Sequence, residues 1–124
     1  MLPALNLGAA KRDKQTPRRL RLEALGQEVL VNEERTNVDI GRAEENDIVI
    51  KGNLISRLHA RIELSRNKFT LVDQSTNGTF VLGQNGEESF IRRDSMQLKG
   101  TGLIGLGRSP ETDSPQTLKF VCED

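Results

Sequence analysis

The sequence has no tryptophan and no tyrosine, and it has one cysteine and one histidine. Its aromatic side chains are four phenylalanines, so platforms for stacking exposed bases are scarce and single-stranded nucleic acid is an unfavourable ligand. The single cysteine, Cys122, excludes an intrachain disulfide and is typical of a reducing compartment. The single histidine, His59, excludes a metal site built from several histidines. We expect no bound metal and no cofactor.

The sequence also lacks an excess of charge of either sign. It has 18 basic and 18 acidic residues, whereas nucleic-acid-binding domains are usually clearly basic. One segment departs from this balance, with Asp13 as the only acidic residue among its cations: Lys11, Arg12, Lys14, Arg18, Arg19 and Arg21. A solvated linker is the favoured interpretation of this cluster, and attachment to nucleic acid through it stays open as an alternative.

Long apolar runs are absent as well. No stretch approaches the roughly 18 residues that a membrane helix needs. The first ten residues are interrupted by Pro3 and Asn6 and have no basic residue ahead of them, unlike a secretory signal. We therefore expect a soluble, monomeric domain in the cytoplasm, with no membrane contact.

A length of 124 residues fits one domain with its own core. Residues 1–18 contain Pro3, Gly8 and Pro17 and clustered charges, without a sustained period. This composition predicts a flexible basic linker or tail. The folded domain is expected to span residues 19–124.

From residue 19 onward the pattern is one of short strands and turns. The clearest strand runs from Leu58 to Leu64, with Leu58, Ala60, Ile62 and Leu64 on one face and the polar residues on the other, which indicates one buried face. The turn dipeptides Asn67-Lys68 and Asn77-Gly78 follow it. Other strands are predicted at 20–24, 28–31, 38–40, 48–50, 69–73, 79–82, 89–92, 96–99, 103–106 and 117–122. About ten or eleven strands without a helical stripe predict an all-β sandwich that presents loops at its ends.

Three motifs place hydrogen-bonding side chains beside these strands. They are Gly41-Arg42 followed by Asn46-Asp47-Ile48, then Ser56-Arg57-Leu58-His59-Ala60, then Asp73 with Ser75-Thr76-Asn77-Gly78-Thr79. Together they supply two arginines, a hydroxyl and an amide that can converge on one anion. The planar fork of arginine suits the oxygens of a phosphate, which is bound by charge-assisted hydrogen bonds.

Each motif also has a simpler interpretation. Arg42 alone is a solvated arginine after a bulge glycine, Ser56 alone caps a turn, and Asn77-Gly78 alone is a hairpin turn. A catalytic triad of Ser56, His59 and Asp73 is disfavoured, because an odd offset places Ser56 and His59 on opposite faces of a regular strand. His59 is better interpreted as a buttress that ties the Ser56 loop to a neighbouring backbone. Cys122 is expected to serve in packing.

In this order the motifs resemble the forkhead-associated (FHA) domain, over about residues 19–122. The resemblance implies an eleven-stranded antiparallel β-sandwich of the SMAD/FHA type, with loops at one end forming the binding site. Members of that family bind phosphothreonine in signalling partners and do no chemistry. By this resemblance Arg42 and Ser56 bind the phosphate and Arg57 adds a further contact. Thr76 lies beside the phosphothreonine, Asn77 holds the ligand main chain, and Gly41, His59 and Gly78 shape the loops.

Some features depart from the family pattern or stay open. An Asn-Gly pair arrives late, at Asn85-Gly86, so the preceding turn is expected to be longer. Arg92 and Arg93 are interpreted as a solvated strand face. A phosphorylation-independent assembly module is the alternative function, and the domain is expected to belong to a larger signalling protein. Thr16, if phosphorylated, is a candidate ligand for another copy or for its own site.

Overall fold

The computed structural model describes residues 18–123. The predicted linker over residues 1–18, including Thr16, therefore lies outside the described residues except for Arg18. The described chain forms eleven strands: β1 (Arg19–Ala24), β2 (Gln27–Val31), β3 (Asn37–Gly41), β4 (Ile48–Val49), β5 (Ala60–Ser65), β6 (Lys68–Asp73), β7 (Thr79–Gly83), β8 (Glu88–Ile91), β9 (Ser95–Leu98), β10 (Thr101–Leu106) and β11 (Thr117–Glu123). In this part of the chain no helix is long and apolar enough to cross a membrane.

The strands form two sheets. One has the order β9-β6-β5-β3-β4 and the other the order β2-β1-β11-β10-β7-β8. The predicted eleven-stranded β-sandwich is confirmed. Neighbouring strands are antiparallel with one exception, the two-residue parallel pair of β3 and β4, in which Ile40 lies opposite Ile48 and Gly41 opposite Val49.

Alternating apolar residues supply the core between the sheets. In β1, Leu20 and Leu22 are fully buried while Arg19, Arg21 and Glu23 reach solvent. Phe120 packs in the same core and Phe69 enters it from the facing sheet. Burying each such side chain contributes about 1.5–3 kcal/mol to folding, so the period of two selects which face of each strand turns inward.

The alternation of buried and exposed side chains breaks down at Leu58 and His59. Leu58 was predicted to share the buried face of a strand, but β5 begins only at Ala60 and Leu58 is 52% exposed. His59, predicted to lie on the polar face, is fully buried next to the buried Ala60. The backbone N–H of His59 bonds the carbonyl of Ile40, and its ring makes further hydrogen bonds. These hydrogen bonds position Leu58 and His59, and the two-residue period begins only at Ala60.

Register brings three connections to one end of the sandwich. Ala60, at the start of β5, lies opposite both Ile40 near the end of β3 and Asp73 at the end of β6. The segments 42–47, 50–59 and 74–78 therefore emerge side by side. The turn between β5 and β6, where Arg66 and Asn67 have positive φ, lies at the opposite end.

Candidate functional site

Gly41 and Arg42 stand where β3 meets the 50–59 segment. A Cβ atom on Gly41 would lie 2.2 Å from the carbonyl oxygen of Arg57, so only glycine allows this approach. The N–H of Arg42 donates to the carbonyl of Ser56 at 3.1 Å. The side chain of Arg42 is anchored by Nε, which donates to the carbonyl of Ile55 at 2.9 Å. The guanidinium is thus fixed at its base beside Ser56 and exposed at its tip.

Side-chain and backbone hydrogen bonds join the 50–59 and 74–78 segments, and two of them are made by the side chains of Ser56 and Asn77. Oγ of Ser56 accepts the backbone N–H of Thr76 at 3.1 Å. Nδ2 of Asn77 donates to the carbonyl of Leu54 at 3.1 Å. Thr76 and Asn77 are otherwise exposed. Side chains that are far apart in sequence therefore form one continuous rim.

The imidazole of His59 lies beneath this rim. Nδ1 accepts the N–H of Ser56 at 3.0 Å, so the ring proton is on Nε2, which donates to the carbonyl of Gly78 at 2.8 Å. Burial lowers the pKa of His59, although the Gly78 carbonyl and the charge of Asp73 act in the opposite direction. In this neutral tautomer the ring of His59 ties the backbone of Ser56 to that of Gly78. Neither ring nitrogen is available as a base for the Ser56 hydroxyl, so the triad stays disfavoured.

A buried carboxylate organises the 74–78 segment. Asp73 accepts hydrogen bonds from the N–H and hydroxyl of Ser75, the hydroxyl of Thr79 and the N–H of Arg93. Burial acts to raise the pKa of Asp73, but these donors outweigh burial and the pKa is lowered. Oγ of Ser75 in turn accepts the N–H of Gly78 at 2.7 Å. With φ at +90°, Gly78 turns the chain towards β7.

Further charges surround Arg42. Arg57 is 63% exposed and lies 3.8 Å from the carboxylate of Glu45. Nζ of Lys51 donates to the carbonyl of Arg42 at 2.7 Å and pairs with Glu44 at 2.8 Å, which lowers the pKa of Glu44. Sequence reasoning missed Lys51, because a lone lysine after a short strand cannot be told from any surface lysine.

The predicted residues fall into distinct groups. Arg42, Ser56, Thr76 and Asn77 form the rim, and Gly41, His59 and Gly78 support it from below. Arg57 lies on the same segment but is engaged with Glu45. Nowhere in residues 18–123 do three or more metal-ligating side chains cluster.

The described part of the basic cluster lies elsewhere. Arg19 and Arg21 in β1 both pair with Glu123 at 2.6 Å, at the end of the sandwich away from the rim. These pairs reduce the positive charge available to a nucleic acid. Arg18 lies over the Phe69 ring, and the remaining cations of the cluster, Lys11, Arg12 and Lys14, lie outside the described residues.

Solved structures share this fold. The Rv1747 FHA-1 domain of Mycobacterium tuberculosis aligns with a TM-score of 0.64 and 22% identity, covering 88% of this chain and 100% of that domain. The FHA domain of CT664 from Chlamydia trachomatis gives 0.60 and 25%, covering 88% and 98%. The N-terminal FHA domain of Rad53p from S. cerevisiae, solved with a phosphothreonine peptide, gives 0.57 and 22%, covering 84% and 91%.

Comparison at the level of sequence gives the family. No curated protein sequence matches the chain. The family model of the FHA domain matches residues 38–107, which is more than half of the chain and includes every rim residue. The chain therefore belongs to the FHA domain family.

Proposed function

We propose that the rim binds phosphothreonine in a partner protein and does no chemistry on it. The observation that carries the proposal is the placement of the Arg42 guanidinium. Its Nε is held by the carbonyl of Ile55, one residue before Ser56, whose hydroxyl joins the two loops. A fixed guanidinium beside a hydroxyl presents donors to a phosphate before the ligand arrives.

Each rim residue then has a role. Arg42 and Ser56 bind the phosphate, and Arg57 joins them once it releases Glu45. Thr76 lies beside the phosphothreonine. Asn77 uses its carbonyl oxygen on the ligand main chain while its Nδ2 stays on Leu54. Solved FHA domains in complex with phosphothreonine peptides support phosphothreonine as the class of ligand.

The expected affinity is modest. Phosphothreonine carries about −1.5 to −2 charges near neutral pH. A hydrogen bond to such a charged group contributes about 1.5–3 kcal/mol. The cost of association and of ordering an extended peptide offsets much of this gain. Reversible binding suited to signalling follows.

A calorimetric titration tests the proposal. A phosphothreonine peptide is titrated against its unphosphorylated twin, with the wild type and with Arg42→Ala. Only the phosphorylated peptide should bind the wild type, and Arg42→Ala should abolish binding with an unchanged melting temperature. Arg66→Ala is the control, because Arg66 is an exposed arginine in the turn at the opposite end. Equal affinity for both peptides refutes the proposal.

Phosphorylation-independent assembly remains the second candidate. The observation in its favour is a set of apolar side chains near the rim: Leu54 at 37%, Leu58 at 52% and Phe90 at 52% exposure. Leu54 and Leu58 lie on the 50–59 segment, and the Phe90 ring lies against Gly78. Phosphatase treatment of a captured partner separates the candidates, since an assembly contact survives the treatment and a phosphothreonine contact does not.

We also propose a cytoplasmic setting for the domain within a larger signalling protein. A phosphorylated ligand arises where kinases have access to ATP. The sequence has a single cysteine, Cys122, which is partly buried against the core, and this use of cysteine is compatible with a reducing compartment. Effector activity then belongs to other parts of that protein.

A further inference from the structure

Strand β8 presents an open edge of the sandwich. Within residues 18–123 it ends the six-stranded sheet, with β7 as its one neighbouring strand. The N–H of Gly83 donates to the carbonyl of Glu87 at 2.9 Å, so these two residues form a hydrogen-bonded pair. Hydrogen-bonded and non-hydrogen-bonded pairs alternate along an antiparallel ladder. Phe90 and its partner Phe80 are therefore a non-hydrogen-bonded pair, and the backbone N–H and carbonyl of Phe90 point away from the sheet.

This open edge lacks the features that usually protect an edge strand. Natural edge strands are often blunted by proline, by lysine or by bulges. Strand β8 has the sequence Glu88-Ser89-Phe90-Ile91, and the Phe90 side chain is exposed. The centroid of its ring lies 4.7 Å from that of Phe80. An exposed aromatic ring beside outward-pointing backbone groups favours the addition of another strand.

The charges around Phe90 make β8 complementary to itself. Glu88 lies two residues before Phe90, and Arg92 lies two residues after it. If two copies of β8 run antiparallel with Phe90 opposite Phe90, then Glu88 of each copy lies opposite Arg92 of the other. A two-fold axis relates the copies, so each contact occurs twice, as in an isologous interface. Side chains two residues apart share one face, so the ion pairs flank the phenylalanines.

The same register suits the backbone. The Phe90 groups that point away from β7 would bond those of Phe90 in the second copy. Glu88, two residues earlier, has the same orientation by the period of the ladder, and it would bond Arg92 of the second copy. The six-stranded sheets of the two copies would then be continuous. Both the side chains and the backbone therefore select a register centred on Phe90.

Glu88 and Arg92 are available for these pairs. Both are exposed, and among residues 18–123 neither has an ion-pair partner within 4.0 Å. Glu88 accepts the hydroxyl of Ser109 with Oε2 at 2.8 Å, and its other oxygen can accept a further donor. Arg93 differs, because its Nε donates to the carbonyl of Ser75 at 3.3 Å. The sequence had suggested one solvated face for both arginines, but only Arg92 is solvated in this way.

The other three edge strands do not offer this arrangement. Strands β2 and β9 have no opposite charges placed two residues on either side of a common centre. Asp47 and Lys51 have this spacing around Val49 of β4. However, Asp47 accepts the N–H of Asp39, Lys51 pairs with Glu44, and β4 has only two residues. Strand β8 is thus the edge whose charges are available.

We propose that two copies of this chain associate through β8, with Phe90 on the two-fold axis and Glu88 paired with Arg92 of the second copy. The sequence alone had predicted a monomer. Few residues take part, whereas stable interfaces bury about 1,200 Å² or more, so the dimer is weak. Because the strands run antiparallel, the two rims face opposite ends of the joined sheet and each remains open. The inference does not depend on the proposed phosphothreonine function.

Sedimentation velocity at protein concentrations from micromolar to millimolar tests the proposal. The wild type should dimerise within this range. Arg92→Glu and Glu88→Arg should each weaken dimerisation about tenfold or more, since each converts two attractive pairs into repulsive ones. An equimolar mixture of the two variants should form a heterodimer, in which every Glu again faces an Arg. Arg66→Glu, at an exposed arginine in the turn at the opposite end, is the control and should dimerise like the wild type.

Amide exchange measured by NMR is a second readout. The amide proton of Phe90 should exchange more slowly as the wild-type concentration rises, whereas that of Ser89, which points towards β7, should change little. A wild type that stays monomeric at millimolar concentration overturns the proposal. Dimers of undiminished affinity in both variants, or a mixture of the variants that does not associate, also overturn it. Recovery in the mixture excludes misfolding of the variants as the cause of their weakness.

Discussion

The hydroxyl of Ser56 accepts the backbone N–H of Thr76 at 3.1 Å, although twenty residues separate them in the chain. This bond fixes the spacing between two segments. The 50–59 segment contains Ile55, whose carbonyl accepts Nε of Arg42, and the 74–78 segment contains Asn77. An anion at the rim meets donors from both loops. The geometry of the site thus depends on a contact that involves no charged group.

Ser56→Ala should weaken phosphopeptide binding far more than it weakens the fold. Thr76 is exposed, so water replaces the lost hydroxyl and unfolding free energy should fall by less than about 1.5 kcal/mol. Loss of a hydrogen bond to a charged phosphate corresponds to about tenfold or more in affinity. Urea titration and calorimetry measure the two effects. Ser65→Ala, in an exposed position of β5, is the control; equal affinity of both variants would contradict the role of Ser56.

Stability should fall on acidification in two steps. The pKa of His59 is lowered in the fold, so below about 6.5 the unfolded chain binds a proton that the folded chain does not, and unfolding free energy declines as pH drops through that value. The pKa of Asp73 is also lowered, so a further decline begins as pH falls through about 3.8. Urea melts from pH 8 to pH 3 measure both steps.

His59→Gln provides the control for the first step, because the sequence has no other histidine. The variant should be less stable at pH 8 and should show a flat profile between pH 7 and pH 6. The acid step of Asp73 should remain. If the unfolding free energy of the variant still declined near pH 6.5 as in the wild type, His59 would be excluded as the cause of that decline.

Substitutions at Gly78 and Gly86 distinguish the free-energy cost of a positive φ from the cost of steric crowding. Both have positive φ, at +90° and +88°, but a Cβ on Gly78 would lie 2.3 Å from the Phe90 ring, whereas nothing lies within 4 Å of one on Gly86. Gly86→Ala should cost about 1–2 kcal/mol of unfolding free energy, and Gly78→Ala clearly more. In a double-mutant cycle with Phe90→Ala, the excess cost should shrink. Equal costs for the two glycines would show that the ring yields freely.

Glu45→Gln should strengthen binding of phosphopeptides. Glu45 and Arg57 are mostly exposed at 3.8 Å, so the pair contributes little to stability, but the carboxylate competes with the phosphate for Arg57. We expect a gain of about twofold to fivefold at low salt that shrinks at high salt. Glu111→Gln, an exposed carboxylate with no ion pair among residues 18–123, is the matched control. A loss of phosphopeptide affinity in Glu45→Gln would contradict this competition and would show that Glu45 supports binding.

Phosphorylated Thr16 should not occupy the site of its own chain. Arg19 pairs with Glu123 at one end of β11, whereas Thr117, six residues earlier on β11, pairs with Gly105 near the rim. The distance from Arg19 to the rim is therefore about 20 Å. The chain between Thr16 and Arg18 can span only about 7 Å. Phosphorylation should leave peptide affinity unchanged at nanomolar chain concentration and act only between copies. Weaker binding that is independent of chain concentration would contradict this geometry.

The fold was predictable where burial alone decides a residue's position. Leu20 and Leu22 alternate with charges, and one face of β1 had to turn inward. The predicted strand faces of Leu58 and His59 were wrong. His59 is held by hydrogen bonds to Ile40, Ser56 and Gly78, which lie elsewhere in the chain. Alternation describes only neighbours along the chain and contains no information about such partners.

The candidate site shows the same division. Arg42, Ser56 and Asn77 were identifiable because their spacing matches a family pattern. Lys51, Glu45 and Arg93 carry no local pattern, since an isolated charged residue in a loop has the composition of any solvated surface. Their relevance arises from contacts with Arg42, Arg57 and Ser75. The Asp73 carboxylate that fixes the Arg93 turn lies twenty residues away.

The class of fold, the inward face of most strands and the chemical character of three loops can be read from the sequence alone, because they follow from periodicity and from side-chain type. Three other properties arise only in the folded chain: which loops share one end, which tautomer His59 adopts and which cations are already paired. Those properties depend on strand register and on distances between residues remote in the chain. Hydrogen bonds and ion pairs act over a few ångströms, so only the folded backbone establishes them.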